Sequence, residues 1–316
     1  MLSTLWVKEN PEDCLYRPSP KSGLGLLRLP EGDLPEMASL YTALEAKSRD
    51  QSSFRFLWRN ESWRVEASPS ITGQRIYVLR HLMKRIPSME DIGVPRNVRE
   101  KLMEANLRGL ILVVGLQGSG KTTFAASLIS DRVKAFGGNV ATIEDPPEID
   151  LDGLYSNGET VGQITQIDVK SYEHLPPNAR TGEAIAGCFR SDTDLLFFGE
   201  VRRPAEASEL IKSVSGIGLC LTTLHASTPD GALERLSLLM GGGTDTLSVL
   251  AEAITAVIYL KLESVRTNNG SNLKRLRVMP LFFNGPGPRS IVREGRFRDL
   301  RSEIERQINK MLSENG

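Results

Sequence analysis

Residues 110–127 constrain the fold of this chain more than any other stretch. Positions 110–114, Leu-Ile-Leu-Val-Val, have the length and apolarity of a strand buried on both faces. Gly115-Leu116-Gln117-Gly118-Ser119-Gly120-Lys121-Thr122 follows and satisfies G-x-x-x-x-G-K-[ST] at every fixed position. Ala125, Ala126, Leu128 and Ile129 then favour a helix. Glycines let the backbone turn tightly and bring N–H groups up to phosphate oxygens. The helix start adds unpaired N–H groups and the positive end of a dipole. In such a loop Lys121 reaches the β- and γ-phosphates and Thr122 offers its hydroxyl to Mg²⁺. Gly115, Gly118, Ser119, Gly120, Lys121, Thr122 and Thr123 are therefore the expected nucleotide-binding residues. A plain glycine turn with one exposed lysine would share the composition but not the strand-loop-helix context.

Around this element the pattern alternates strands and helices. Strands are expected at 110–114, 139–143, 194–199, 219–224 and 256–262, and helices at 120–136, 182–191, 204–215, 230–240 and 247–255. That order implies a parallel sheet covered on both faces. Residues 273–283 and 290–297 read as late strands or a hairpin. Residues 298–313 read as a charged helix with Leu300, Ile304, Ile308 and Leu312 at helical spacing. Upstream, prolines and glycines (Pro11, Pro18, Pro20, Gly23, Gly25, Pro30) make residues 1–35 an irregular arm. Residues 37–47 have helical period, with Leu40, Tyr41 and Leu44 on one face. Residues 54–67 carry Phe54, Phe56, Trp58 and Trp63 in a hairpin-like cluster, and 74–84 reads as a further strand or mixed element. The expected partition is an N-terminal α/β domain over 1–95, a linker helix over 96–108 and a nucleotide domain over 109–316.

With 316 residues, 40% of them hydrophobic and 25% charged, the chain has ample core material. Its 39 basic and 39 acidic residues balance, which argues against a general electrostatic grip on nucleic acid. Cys14, Cys188 and Cys220 lie far apart without a C-x-x-C, so neither a disulfide framework nor a thiolate zinc site is expected, and a reducing compartment fits. Residues 1–8 lack the apolar core of a signal peptide. No apolar run reaches the ~18 residues a membrane span needs; residues 247–262 are broken by Glu252 and Lys261. Any membrane association is expected to be peripheral.

Three further strand ends carry polar groups. The strand ending at Ile143 runs into Glu144-Asp145-Pro146-Pro147, delivering carboxylates where open α/β sheets bind ligands. Leu195-Leu196-Phe197-Phe198 ends at Gly199-Glu200, an apolar strand closing on an acid in the Walker B manner, with Arg202 and Arg203 beside it. Asp192 and Asp194 lie at the far end of that strand and are poor metal candidates. The strand at 219–224 ends at His225, one of three histidines in the chain. Each of these groups has a bland alternative, an acidic turn, a surface ion pair or a structural histidine; three strand ends beside one phosphate loop favour a shared site.

The four blocks Gly115 to Thr122, Thr142-Ile143-Glu144-Asp145-Pro146, Gly199-Glu200-Val201-Arg202 and Thr223-Leu224-His225-Ala226 resemble the Walker A, Asp box, Walker B and His box of the type II and type IV secretion-superfamily ATPases. The connector Ile86-Pro87-Ser88-Met89-Glu90-Asp91-Ile92-Gly93 is similar to that family's interdomain segment. Lacking a four-cysteine insert, the chain looks closest to the PilT branch, with its relatives in type IVB secretion and conjugation. Pro288-Arg289-Ser290-Ile291-Val292-Arg293-Glu294 is partly similar to the A-I-R-N-L-I-R-E segment of pilus-retraction ATPases.

The resemblance implies a PAS-like N-terminal domain, a RecA-like P-loop domain with a C-terminal helical extension, ATP and Mg²⁺, and a cytoplasmic homohexamer peripheral to the inner membrane and acting on a platform protein there. It implies that Glu144 helps activate water, that Glu200 supports Mg²⁺ through water, that His225 contacts the γ-phosphate, and that Arg64 and Arg80 supply phosphate-binding charge. Three competing readings are a GTPase switch, disfavoured by the lack of an N-K-x-D segment, a DNA-translocating motor, disfavoured by the neutral charge, and a scaffold that binds nucleotide without hydrolysing it.

Overall fold

A computed structural model describes residues 2–18, 25–48, 52–71, 73–82, 85–172, 174–266 and 272–313. Pro20, Gly23 and Lys84, named above for the arm and for the strand at 74–84, lie outside the described residues. By contacts the chain forms two units. One is Met1–Arg85 with Pro146–Asp150, the other Ile86–Asp145 with Leu151–Gly316.

The first unit is a six-stranded sheet of β1 (Leu2–Val7), β2 (Leu15–Pro18), β3 (Leu27–Arg28), β4 (Ser53–Trp58), β5 (Glu61–Pro69) and β6 (Arg75–His81). The order is β3-β2-β1-β6-β5-β4, with every adjoining pair antiparallel. Helix α1 (Leu34–Lys47) buries Met37, Leu40 and Leu44, one helical face. These meet Leu5, Val7, Trp63, Val65, Tyr77 and Leu79 in a single core. A helix laid on a sheet of this order is a PAS-like α/β arrangement. The irregular arm expected over residues 1–35 is corrected: strands β1, β2 and β3 lie within it. Leu5 and Val7 alternate inward, while Pro11 opens a short 3-10 turn between β1 and β2, so the proline sits where no ladder bond is lost. Arg59 and Asn60, with φ of 53° and 56°, make the two-residue left-handed turn that a tight β4–β5 hairpin favours.

The second unit is built on an eight-stranded sheet. Its strands are β7 (Gly109–Gly115), β8 (Gly138–Glu144), β9 (Gly153–Ser156), β10 (Val161–Asp168), β11 (Leu195–Glu200), β12 (Leu219–His225), β13 (Ile254–Arg266) and β14 (Asn272–Phe282). The order is β14-β13-β7-β12-β11-β8-β10-β9. The six inner strands are parallel, and β14 and β9 close the edges antiparallel. Helices α2 (Arg96–Leu102), α3 (Lys121–Phe136), α4 (Pro177–Arg190), α5 (Pro204–Ile217), α6 (Pro229–Leu239), α7 (Thr244–Ala253), α8 (Pro286–Arg293) and α9 (Leu300–Ser313) complete it. Residues 110–114 are fully buried, as a strand covered on both faces requires. This is the RecA-like P-loop fold.

Two expectations are corrected here. Residues 290–297 are helix and 3-10 turn rather than strand, because Pro286 starts α8 in its first turn, where a missing N–H costs nothing, and Pro288 and Val292 bury one face. The parallel sheet also extends through β10, whose buried Gly162 and Ile164 alternate with exposed residues too briefly to stand out in the sequence. Residues following Ile86 pack with the second unit. Arg132 on α3 donates to the carbonyls of Leu102 (2.7 Å) and Glu104 (3.0 Å) at the end of α2, and its neighbour Asp131 accepts from the Met89 amide at 2.8 Å.

Candidate functional site

Because the inner strands are parallel, their C-terminal ends lie along one edge. Gly115 stands opposite His225 in register, Glu200 opposite Thr223, and Ile143 opposite Phe198. Glu144, Glu200 and His225 are thereby brought to the sheet edge that carries the phosphate loop.

The loop depends on Gly115. A Cβ there would fall 2.4 Å from Ser119 Oγ and 2.5 Å from the Leu260 carbonyl, and the latter is backbone that cannot step aside. Gly118 and Gly120 have left-handed φ of 73° and 93°, and a Cβ at either would meet open space. Gly120 is the N-cap of α3, so the helix begins at Lys121. Thr122 and Thr123 occupy its first turn, and the Thr123 carbonyl accepts from Ser127 Oγ at 2.8 Å. The Ser119 hydroxyl is buried without a hydrogen-bond partner among the described residues.

Lys121 is only 7% exposed. Its ammonium donates to the carbonyls of Gly115 and Leu116, both at 3.0 Å, and to His225 Nδ1 at 3.1 Å. An ammonium has only protons to give, so Nδ1 must accept and the imidazole proton stays on Nε2. That nitrogen lies 3.1 Å from Glu200 Oε1. Glu200 Oε2 in turn takes Arg202 Nε at 2.6 Å and Nη2 at 2.5 Å. Burial alone would lower the Arg202 pKa, but the hydrogen bond and charge of Glu200, with Asp145 and Glu206 adding, hold it above its usual value. Arg203 points elsewhere, 3.9 Å from Glu206, whose carboxylate also accepts the backbone N–H groups of Arg202 (2.8 Å) and Arg203 (3.0 Å).

Glu144 is 5% exposed. Its Oε1 accepts from Thr142 Oγ1 at 2.9 Å and Gln166 Nε2 at 2.8 Å. Gly199 leaves room for it, since a Cβ at Gly199 would lie 3.1 Å from Glu144 Cγ. Arg64 and Arg80 belong to the first unit, where they face each other across β5 and β6. Arg80 is exposed, and Arg64 Nη1 lies 3.7 Å from Glu148 Oε1.

Sequence reasoning missed several contributors. Gln166 lies on an unrecognised strand. Arg235, whose Nη1 donates to the His225 carbonyl at 2.7 Å, is one more arginine on an amphipathic helix. Asp150 accepts from Arg55 Nη2 (2.8 Å) and Ser62 Oγ (3.0 Å), contacts between segments far apart in the chain.

A parallel sheet whose P-loop strand lies beside a strand ending in histidine, with two strands ending in glutamate beyond it, defines a RecA-like P-loop fold. Residues 43–279 match the family described as type II/IV secretion system protein, and the chain belongs to that family. It is 28% identical over 235 residues to the type IV pilus ATPase PilU of Pseudomonas aeruginosa strain PAO1, an alignment covering 74% of this chain and 57% of that protein. The chain thus spans little more than half the length of that relative. Its fold superposes on the crystal structure of the pilus retraction motor PilT with bound ADP, with a TM-score of 0.75 and 22% identity over 96% of this chain and 85% of that one. It also superposes on the Legionella pneumophila ATPase DotB, with a TM-score of 0.70 and 20% identity over 95% and 83%. Among the described residues no helix is long and apolar enough to cross a membrane.

Proposed function

We propose that this chain hydrolyses ATP as the motor of a type IV pilus or type IV secretion or conjugation machine. The observation that carries this reading is the continuous contact from Lys121 through His225 to Glu200 at the edge of the P-loop sheet. The open space beside Gly118 and Gly120 and the orphaned Ser119 hydroxyl suit a bound polyphosphate. Lys121 exchanges the loop carbonyls for β- and γ-phosphate oxygens. Thr122, with Glu200 acting through water, forms an oxygen-rich donor set suited to Mg²⁺, which when bound neutralises charge on the β- and γ-oxygens. Glu144, held at one oxygen by two donors, orients the attacking water and takes up its proton. His225, already bonded to the lysine that must move, registers the γ-phosphate.

Loss of the γ-phosphate removes contacts that hold a closed state, the general way hydrolysis becomes movement. A homohexamer in the cytoplasm, peripheral to the inner membrane and bearing on a platform protein there, would transmit that movement. The test is steady-state ATP turnover of the wild type, Lys121→Ala and Glu200→Gln. Both variants should lose at least ~100-fold in kcat, the scale of removing one preorganised electrostatic group. Turnover at the wild-type rate in either variant would reject the assigned roles.

A further inference from the structure

Gln166 carries two contacts that no reading of the nucleotide site requires. It lies on β10, opposite Thr142 of β8 in register. Its Nε2 donates to Glu144 Oε1 at 2.8 Å, and its Oε1 accepts the Leu151 amide N–H at 3.3 Å. The orientation of the amide is unambiguous, because a carboxylate can only accept and a backbone N–H can only donate. One rigid plane therefore ties the Glu144 carboxylate to the backbone at Leu151. The Gln166 backbone N–H is also bound, to Asp152 Oδ1 at 2.8 Å, so the strand and the loop before it are joined at two points.

Leu151 immediately follows Asp150, whose carboxylate is gripped by Arg55 and Ser62. Arg55 also donates to Ser62 Oγ at 2.9 Å, closing a three-membered polar cluster. Pro146–Asp150, gathered by contacts with the N-terminal strands, is thus the stretch of chain between Glu144-Asp145 and the Leu151 amide. A displacement of Asp150 reaches Glu144 by two routes: along the backbone, and through the Gln166 amide.

We infer that Gln166 is a positioning residue for Glu144 and that, through it, the hold of Arg55 and Ser62 on Asp150 sets how fast the site turns over. This rests on the hydrolytic reading above and adds a regulatory input to it. When Asp150 is held, the Leu151 N–H fixes the Gln166 oxygen, its NH₂ group stays on Glu144 Oε1, and the carboxylate keeps the plane needed to receive a water proton. When Asp150 is released, the amide turns and Glu144 Oε1 loses the Gln166 donor.

The test compares kcat, KM and the affinity for a fluorescent ATP analogue in the full chain. The variants are Gln166→Met, Gln166→Glu, Asp150→Asn and the Gln166→Met/Asp150→Asn pair; amide exchange at Leu151 is followed alongside. Gln166→Met keeps the volume and loses both bonds. It should lower kcat about 10- to 100-fold, the scale of a small misplacement of a reacting group, leave KM and analogue affinity within about twofold, and speed Leu151 exchange. Gln166→Glu keeps the acceptor for Leu151 and loses the donor to Glu144, so kcat should fall while Leu151 stays protected. Asp150→Asn should slow turnover in the wild-type background and add nothing to Gln166→Met. An active wild type with wild-type kcat in both Gln166 variants would overturn the inference and leave the ATPase reading standing. So would a double variant whose kcat loss is the product of the two single losses. A wild type that binds the analogue and does not turn over ATP would overturn both.

Discussion

Arg132 projects from α3 into a nearly closed environment, with 7% of its surface exposed. Burial lowers its pKa, and among the described residues no carboxylate is paired with it. Its partners are instead two backbone carbonyls, Leu102 at 2.7 Å and Glu104 at 3.0 Å, and the Phe136 ring, 5.0 Å below the guanidinium. These carbonyls close the end of α2, where a helix leaves orphan acceptors. Replacing Arg132 by alanine removes two hydrogen bonds from a charged donor, about 1.5–3 kcal/mol each, and a cation–π contact of about 0.5–1 kcal/mol. Recovered desolvation of the guanidinium offsets part of this, so the net loss should be about 2–4 kcal/mol. For a unit of this size that is roughly 5–15 °C in Tm. Arg132→Met keeps the stem but orphans the same carbonyls, and should lose about 2–3 kcal/mol. Two units need not unfold together, so the thermal scan is paired with hydrogen exchange read peptide by peptide. The α2 amides should lose protection while those of β7 keep theirs. Arg132→Ala melting within about 1 °C of wild type, with α2 still protected, would refute the claim that this arginine holds the helix to the nucleotide unit.

The neighbouring Asp131 has its carboxyl pKa raised by burial; the Met89 N–H, Lys134 and Arg99 pull it down, and Asp91 pushes it up. A folded pKa above the unfolded one means its contribution is greatest below about pH 3.9 and declines as pH rises through the folded value. Asp131→Asn keeps an acceptor for Met89 and drops the charge, so its Tm relative to wild type should rise between about pH 3.5 and 6; a pH-independent difference would contradict this. Asp230, buried at the start of α6, shows the opposite sign. Burial raises its pKa, but hydrogen bonds from Thr228 and Arg301 outweigh that and lower it. Its stabilising effect is present above the unfolded carboxyl pKa and lost as pH falls through the folded value, so Arg301→Gln should loosen α9 at neutral pH and flatten the acid-side loss of α9 amide protection. Gly115→Ala should abolish retention of a fluorescent ATP analogue and lower Tm, because its Cβ meets the Leu260 carbonyl. Gly118→Ala, which meets only open space, should fold normally at a strain cost of about 1–2 kcal/mol.

The part of the fold that could be read in advance is the part buried on both faces. Strands β7 and β11 are continuous apolar runs, and β12 departs from one only at the buried Thr222 and Thr223, because helices cover them on either side; such runs end abruptly at the sheet edge. Glu200 and His225 stand out for that reason. Where one face is wet the pattern dilutes. Among the residues of β1 whose burial is described only Leu5 and Val7 turn fully inward, and β10 alternates Gly162 and Ile164 with exposed residues. Prolines misled in both directions, suggesting an arm where a sheet forms and obscuring α8, which Pro286 opens. Contacts from a side chain to a distant backbone group, such as Arg132 to Leu102 or Gln166 to Leu151, leave no periodic trace, because the acceptor or donor is common to every residue.

The same polar string also explains why the phosphate loop holds its shape with a lysine almost out of water. A buried ammonium is stable only if its protons are taken, and the loop offers its own carbonyls at Gly115 and Leu116 with His225 completing the set. Each further link has only one consistent direction: Lys121 donates to Nδ1, Nε2 donates to Glu200, and Arg202 donates to the other carboxylate oxygen. A phosphate that captures Lys121 therefore cannot leave the rest unchanged. It strips His225 Nδ1 of its donor, and the imidazole must find a new one or turn, which alters its bond to Glu200. With the bond to His225 weakened, more of the Glu200 charge falls to Arg202 on the other oxygen. Under the proposed function, nucleotide arrival at one strand end would be felt at the next two, because the groups at these ends are already partners of one another.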